Sequence, residues 1–347
     1  MESKKKAATS TQIKEFGKIA ALERLFEKSP YKNSPTTPLL DGELLTTNKM
    51  MLEGIDFSLI YFPIKYLGYK AALHAMGYLY ANCYKPCTLD FTVGLSSKFS
   101  MEQMEQLWAG MESAAKEHGV TNVTLDMLPS MNGLVISCSA TGKREAAKSA
   151  KRVKVAEQKK VAENSLICIN GNLGSACMGF YVLERERVAF EGSAVAGKSS
   201  YKQPDLSKYK YLLGNYLNPQ IEPQILSKFK EAGVWPSAGY FITKGLAESV
   251  KQLAKERGCG VNIFLDKIPV SPQARAMAEE INLDIITAIM NGGEEYRMLY
   301  VIPIDKHEII RKELPHLEII GHTTATAGEC TLISPDGGAH QITAQGW

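Results

Sequence analysis

Between residues 87 and 141 the hydrophobic period switches twice, and that switching restricts the chain to layers of helices packed on sheets. Cys87 to Leu95 alternates with the two-residue period of a strand. Ser100-Met101-Glu102-Gln103 then opens a helix running to about His118. Ser100 and Gln103 have capping-box spacing, and Gly119 is placed to end the helix. Val120 to Asp126 and Gly133 to Thr141 return to strand patterning. A segment that changes from period 2 to 3.6 and back must bury a sheet face against a helix stripe. The first half therefore reads as an α/β domain in which strands outnumber helices.

Around this segment the chain divides further. Ile13, Phe16, Ile19, Leu22 and Phe26 recur at helical spacing over 11–28. The following SPYKNSPTTP is expected to be a loop, because Pro30, Pro35 and Pro38 cannot donate to a sheet ladder. Leu44 to Phe57 is strand-like, and Tyr66 to Tyr80 reads as a helix rich in small and apolar residues. Residues 143–160 hold eight Lys/Arg against Glu145 and Glu157, a local charge of +6 that leaves −3 for the rest. Two readings stand for this segment: a solvated connector between domains, or an anion-binding surface for nucleic acid, membrane or an acidic partner. No aromatic residue is interleaved there for base stacking, which argues against single-stranded nucleic acid. In the second half, Ser165 to Gly171 is a short buried strand running into Asn172-Leu173-Gly174, where Gly171 and Gly174 would let an anion approach the backbone. Further helices are expected at 178–187, 245–257 and 271–281, with strands at 261–265 and 297–304. The division is an N-terminal domain over 1–142, a basic connector over 143–163 and a C-terminal α/β domain over 164–347.

Composition narrows the function classes. A chain of 347 residues suggests about two domains. With 45% hydrophobic and 22% charged residues, both halves can bury a core. The net charge of +3 is too small to imply nucleic-acid binding. No apolar run approaches the roughly 20 residues needed to span a bilayer, and Met1 to Lys6 has no apolar stretch behind it, so no signal peptide is expected. Seven scattered cysteines suit a reducing, cytoplasmic setting, with Cys138 and Cys168 in apolar strand runs as core residues. The six histidines show no metal-ligand spacing.

Five stretches in order resemble the thiamine-monophosphate kinases, members of the aminoimidazole-ribonucleotide synthetase (AIR synthase) superfamily. They are Glu53-Gly54-Ile55-Asp56-Phe57, Leu67-Gly68-Tyr69-Lys70-Ala71, Gly171-Asn172-Leu173-Gly174 with Met178-Gly179, Asp266-Lys267-Ile268-Pro269, and Asn291-Gly292-Gly293-Glu294-Glu295-Tyr296. The resemblance implies a two-domain AIR synthase-like α/β (α+β) fold, whose N-terminal sheets pair in a homodimer as a shared barrel. It also implies ATP-dependent phosphorylation of thiamine phosphate, with the polyphosphate held by Mg²⁺ ions on aspartates. Hard Mg²⁺ takes oxygen ligands and concentrates positive charge on the transferring phosphate.

Most of those aspartates are replaced. The family's Gly-Asp-Asp-Ala loop falls near Ser-Pro-Thr-Thr-Pro-Leu-Leu, and the Thr-Asp before Glu53 reads Asn48-Lys49. The Ser-Asp of the next helix reads Gly77-Tyr78, and Asp-x-Ser-Asp-Gly reads Phe241-Ile242-Thr243-Lys244-Gly245. The Arg-Ser-Gly-Ala turn aligns with Gln158-Lys159-Lys160. Asp126 alone survives as a metal candidate. The losses imply that magnesium and ATP binding are degenerate. Lys49 and Lys244 are either drifted surface residues or tethered cations that bind an anion without metal.

On the substrate side the resemblance carries over Asp56, Glu294, Tyr296 and Trp347. These suit a cationic aromatic ligand such as thiamine phosphate, or else merely keep a turn and pack. The functional expectations are a non-catalytic binding or regulatory homologue, an active thiamine-phosphate kinase as the alternative, and a polyanion binder as the third.

Overall fold

The computed structural model describes residues 21–31, 34–145, 161–195 and 205–344. The basic stretch beyond Glu145, through Lys160, and Trp347 lie outside the described residues. Residues 21–26 are helical (α1). The first half continues as β1 (Thr36–Leu39), β2 (Leu44–Leu52), α2 (Ile64–Ala81), β3 (Tyr84–Leu95), α3 (Met101–Glu117), β4 (Asn122–Pro129) and β5 (Val135–Arg144). These strands form one sheet in the order β1-β2-β5-β3-β4, antiparallel except for the β3–β4 pair. The expected helix at 100–118 carries its capping box, with Ser100 and Gln103 exchanging side-chain-to-backbone bonds.

The proline-rich loop needs a correction. Thr36–Leu39 is a strand, with Pro38 opposite Leu45. It lies at the sheet edge, where a missing N–H leaves no ladder bond unmade.

The second half contributes β6 (Leu166–Asn170), α4 (Ser175–Val195), α5 (Lys210–Leu217), α6 (Ile225–Ala232), β7 (Ala238–Ile242), α7 (Leu246–Arg257) and β8 (Gly260–Phe264). After these come α8 (Pro272–Glu280), α9 (Ile285–Asn291), β9 (Arg297–Ile302), α10 (His307–Glu313), β10 (Leu317–Thr324), β11 (Cys330–Ile333) and β12 (Ala339–Gln341). Its seven strands run β12-β11-β8-β10-β6-β9-β7, with only β8 and β11 parallel.

Helix α2 explains how the two sheets meet. It is apolar nearly all round, as befits a helix with no face in water. One side packs on β2, β3 and β5, the other on β7 and β9. Glycines permit the close approaches: Gly77 receives the Phe241 ring, and Gly239 of β7 lies against the Ala81 carbonyl. Where α2 crosses α3, Gly68 faces the Leu107 carbonyl and Gly110 faces the Lys65 carbonyl. One continuous buried cluster therefore includes Leu73, Met76 and Phe91 from the first half with Phe229, Phe241 and Tyr300 from the second. Cys138 and Cys168 are buried in it, as expected.

Candidate functional site

Five chain segments bring charged side chains to one face of α2. Lys70, His74 and Tyr78 recur every four residues and so share one helix face. Lys49 comes from β2, and its Nζ lies 3.8 Å from the centre of the Tyr78 ring. Asp56 follows β2 in a turn whose Gly54 has φ +79°, and its Oδ2 accepts the Leu52 N–H at 2.8 Å. Lys244 follows β7. The loop after α9 supplies Glu294 and Tyr296, anchored where the Glu294 N–H donates to the Thr243 carbonyl (2.7 Å) and the Tyr296 N–H to that of Ile242 (3.0 Å). That loop is strained: Glu294 and Tyr296 have φ of +61° and +52°, in the left-handed region that non-glycine residues avoid.

The floor of the cluster is the Lys70 ammonium, which is fully buried. It pairs with Glu294 Oε2 at 2.8 Å and donates to the Tyr216 carbonyl at 2.8 Å. The ring centres of Tyr216, Phe62 and Tyr296 lie 4.1, 5.3 and 5.4 Å away. A buried ammonium requires such partners, because its desolvation is otherwise prohibitive. Tyr296 is buried, and its hydroxyl lies 2.9 Å from His74 Nδ1. Burial lowers the His74 imidazole to about 4, with Lys49, Lys70 and Lys244 pushing the same way and Glu294 opposing. Burial raises the Asp56 carboxyl, aided by Glu294 and opposed by the Leu52 N–H, Lys244 and Lys70. With His74 neutral, three ammonium groups face two carboxylates, leaving a net positive charge suited to an anion.

Lys49, Asp56, Lys244, Glu294 and Tyr296 thus converge. Gly171 and Gly174 lie across the 292–296 loop, at the N-terminal end of α4. The Gly174 N–H donates to Glu295 Oε1 at 2.9 Å, so the protein's own carboxylate takes the donor that an anion would need. Gly171 lines an open cleft of about 550 Å³ with Arg297, Gln220 and Glu318. Asp126 is exposed on β4, its Oδ1 accepting the N–H of neighbouring Met127.

The donor set does not fit multiple magnesium ions. Among the described residues no group of three or more His, Cys, Asp or Glu could hold a metal. Asp56 is committed to a backbone amide and two ammonium charges.

Lys70 was visible only as part of a motif, and His74 was missed. The signal was there: polar residues at i, i+4 and i+8 on an otherwise apolar helix. Glu295 was also missed as a separate element, because nothing local marks a carboxylate that caps a helix more than a hundred residues away.

No family model matches the chain. A hydrogenase expression/formation protein of Methanocaldococcus jannaschii is 25% identical over 297 residues, covering 84% of this chain and 79% of the relative. The thiamine-monophosphate kinase of Aquifex aeolicus is 21% identical over 297 residues, covering 85% and 88%. The crystal structure of that kinase superposes with a TM-score of 0.75 at 19% identity, covering 95% of this chain and 100% of that one. The chain is similar along most of its length to proteins of the AIR synthase-related superfamily. It is like both the thiamine-monophosphate kinases and the hydrogenase-maturation protein HypE, whose Escherichia coli structure gives a TM-score of 0.61 at 15% identity over 95% of this chain and 97% of that one. The superfamily fold agrees with the two mixed sheets and their flanking helices. Among the described residues, no helix is long and apolar enough to cross a membrane.

Proposed function

We propose that this chain is a non-catalytic homologue of the thiamine-monophosphate kinases that binds a phosphate-bearing small molecule through lysines instead of magnesium. One observation carries the reading: Lys49 and Lys244, at positions where the resemblance calls for metal-binding carboxylates, act with Lys70 on the same desolvated His74. Ammonium groups form strong charge-assisted bonds to phosphate oxygens, and Lys244 is exposed and Lys49 half-buried. Phosphoryl transfer depends on positioned charges, each worth orders of magnitude in rate, which supports loss of the kinase step here.

The ligand class follows from what surrounds the lysines. A related structure is a complex with AMPPCP and TMP. The resemblance carries Asp56, Glu294 and Tyr296 over to the substrate side, which supports a cationic aromatic ligand such as thiamine phosphate over a nucleotide. Calorimetric titration tests this. Thiamine phosphate is expected to bind without Mg²⁺, and Lys49→Ala/Lys244→Ala to weaken it about a hundredfold, from two charge-assisted contacts of ~1.5 kcal/mol each. Micromolar ATP binding that requires Mg²⁺, or a double variant that binds like wild type, would overturn the reading.

We also infer a homodimer formed through the open face of the five-stranded sheet, where Met50 and Leu52 of β2 are exposed. Charged substitutions at both residues should shift the protein to monomer in sedimentation equilibrium. A wild-type protein that sediments at monomer mass at tens of micromolar would sink the dimer.

A further inference from the structure

Glu295 is a buried acid between the charged cluster and the start of α4. Its neighbours on either side are Glu294, paired with Lys70, and Tyr296, bonded to His74. Its own carboxylate turns the other way. Oε1 accepts the Gly174 N–H at 2.9 Å and, more distantly, the Cys177 N–H at 3.5 Å. Gly174 immediately precedes α4 and Cys177 lies in its first turn, where unpaired N–H groups and the helix dipole favour a negative charge. Glu295 therefore ties two elements far apart in sequence through backbone that is itself strained.

We propose that Glu295 is a positioning residue, which holds the 292–296 loop to the start of α4 and so sets where Glu294 and Tyr296 stand against Lys70 and His74. The proposal rests on the cluster being the binding site, but its test does not require a ligand. Loss of the carboxylate frees the loop to relax toward ordinary φ values. Because Glu294, Glu295 and Tyr296 are consecutive, such relaxation shifts all three.

Burial raises the Glu295 carboxyl to about 7, opposed by Arg297 and by the amides of Cys177, Ala176 and Gly174. The titratable and charged groups around it are Cys177 on α4, Arg297 at the start of β9 with Tyr211 of α5 beyond it, and Glu294 and Tyr296 on its own loop. Deprotonation is therefore expected near neutral pH. His74 titrates far lower, at about 4, so a response of its ring near pH 7 reports on Glu295 and not on itself.

The experiment is an NMR titration of the full-length, ligand-free protein from pH 5.5 to 8.5, following the Gly174 amide and the His74 ring. In wild type both signals are expected to move together with a midpoint near 7. In Glu295→Gln, which keeps the acceptor but not the charge, both should stay flat. Glu295→Asp should restore a joint titration if its shorter side chain still reaches Gly174. A Gly174 amide that titrates while His74 stays still would overturn the proposal, since Glu295 would then only cap α4. So would a His74 midpoint near 7 that persists in Glu295→Gln. Failure of thiamine phosphate to bind, with the joint titration intact, would sink the proposed function and leave this positioning role standing.

Discussion

Lys70→Ala should lower stability by about 3 kcal/mol, read as a drop in the urea midpoint at unchanged m-value. The substitution removes an ammonium with no solvent exposure, leaving the Tyr216 carbonyl without its donor and Glu294 without its counter-charge. Breaking a buried pair from one side commonly costs about 3–5 kcal/mol. The lower figure applies because the Glu294 side chain keeps 26% exposure and can be rehydrated. Lys70→Met keeps most of the volume against Tyr216, Phe62 and Tyr296, so its loss should be the smaller of the two. Equal losses would mean that charge, not packing, accounts for Lys70.

The second large effect is at the α2–α3 crossing. Replacing an exposed helical glycine by alanine ordinarily stabilises by up to about 1 kcal/mol. Gly214 in α5 has open space where a Cβ would go, so Gly214→Ala should follow that rule. Gly68→Ala and Gly110→Ala should do the opposite, each destabilising by about 1–3 kcal/mol, because the new methyl would press on a carbonyl of the facing helix. The two positions face opposite partners across one seam, so either methyl forces the same separation. The double variant should therefore lose less than the sum of the singles. Urea unfolding of all four proteins reads these signs directly, and stabilisation by Gly110→Ala would show that the helices are not in backbone contact.

The first half was the more legible from sequence, for a physical reason. α3 announces itself by a cap, a stop glycine and an amphipathic stripe, all local signals. β7 does not: Ala238 to Ile242 is buried at every position, so it has no alternation to read. β1 was hidden by Pro38, since only sheet order reveals that this proline sits on an edge. The candidate site was legible where the resemblance aligned a motif, and Lys49, Asp56, Lys244, Glu294 and Tyr296 indeed meet. It was illegible where function comes from pairings across the chain, as with Lys70 to Tyr216 and Glu295 to Gly174. Gly174 shows the hazard of reading a turn alone: the glycine was conspicuous, but its occupant lay 121 residues away.

The seating of α2 between both sheets bears on how a ligand would come and go. Hinge opening of one half against the other would have to withdraw the Phe241 ring from Gly77 and part Gly239 from the Ala81 carbonyl, exposing core on both sides. Such an axis has no greasy-free surface to turn on. Entry and exit at the cluster therefore fall to the short segments at its rim, the turn carrying Asp56 and the loop carrying Glu294, while the scaffold beneath them behaves as a single clamped block.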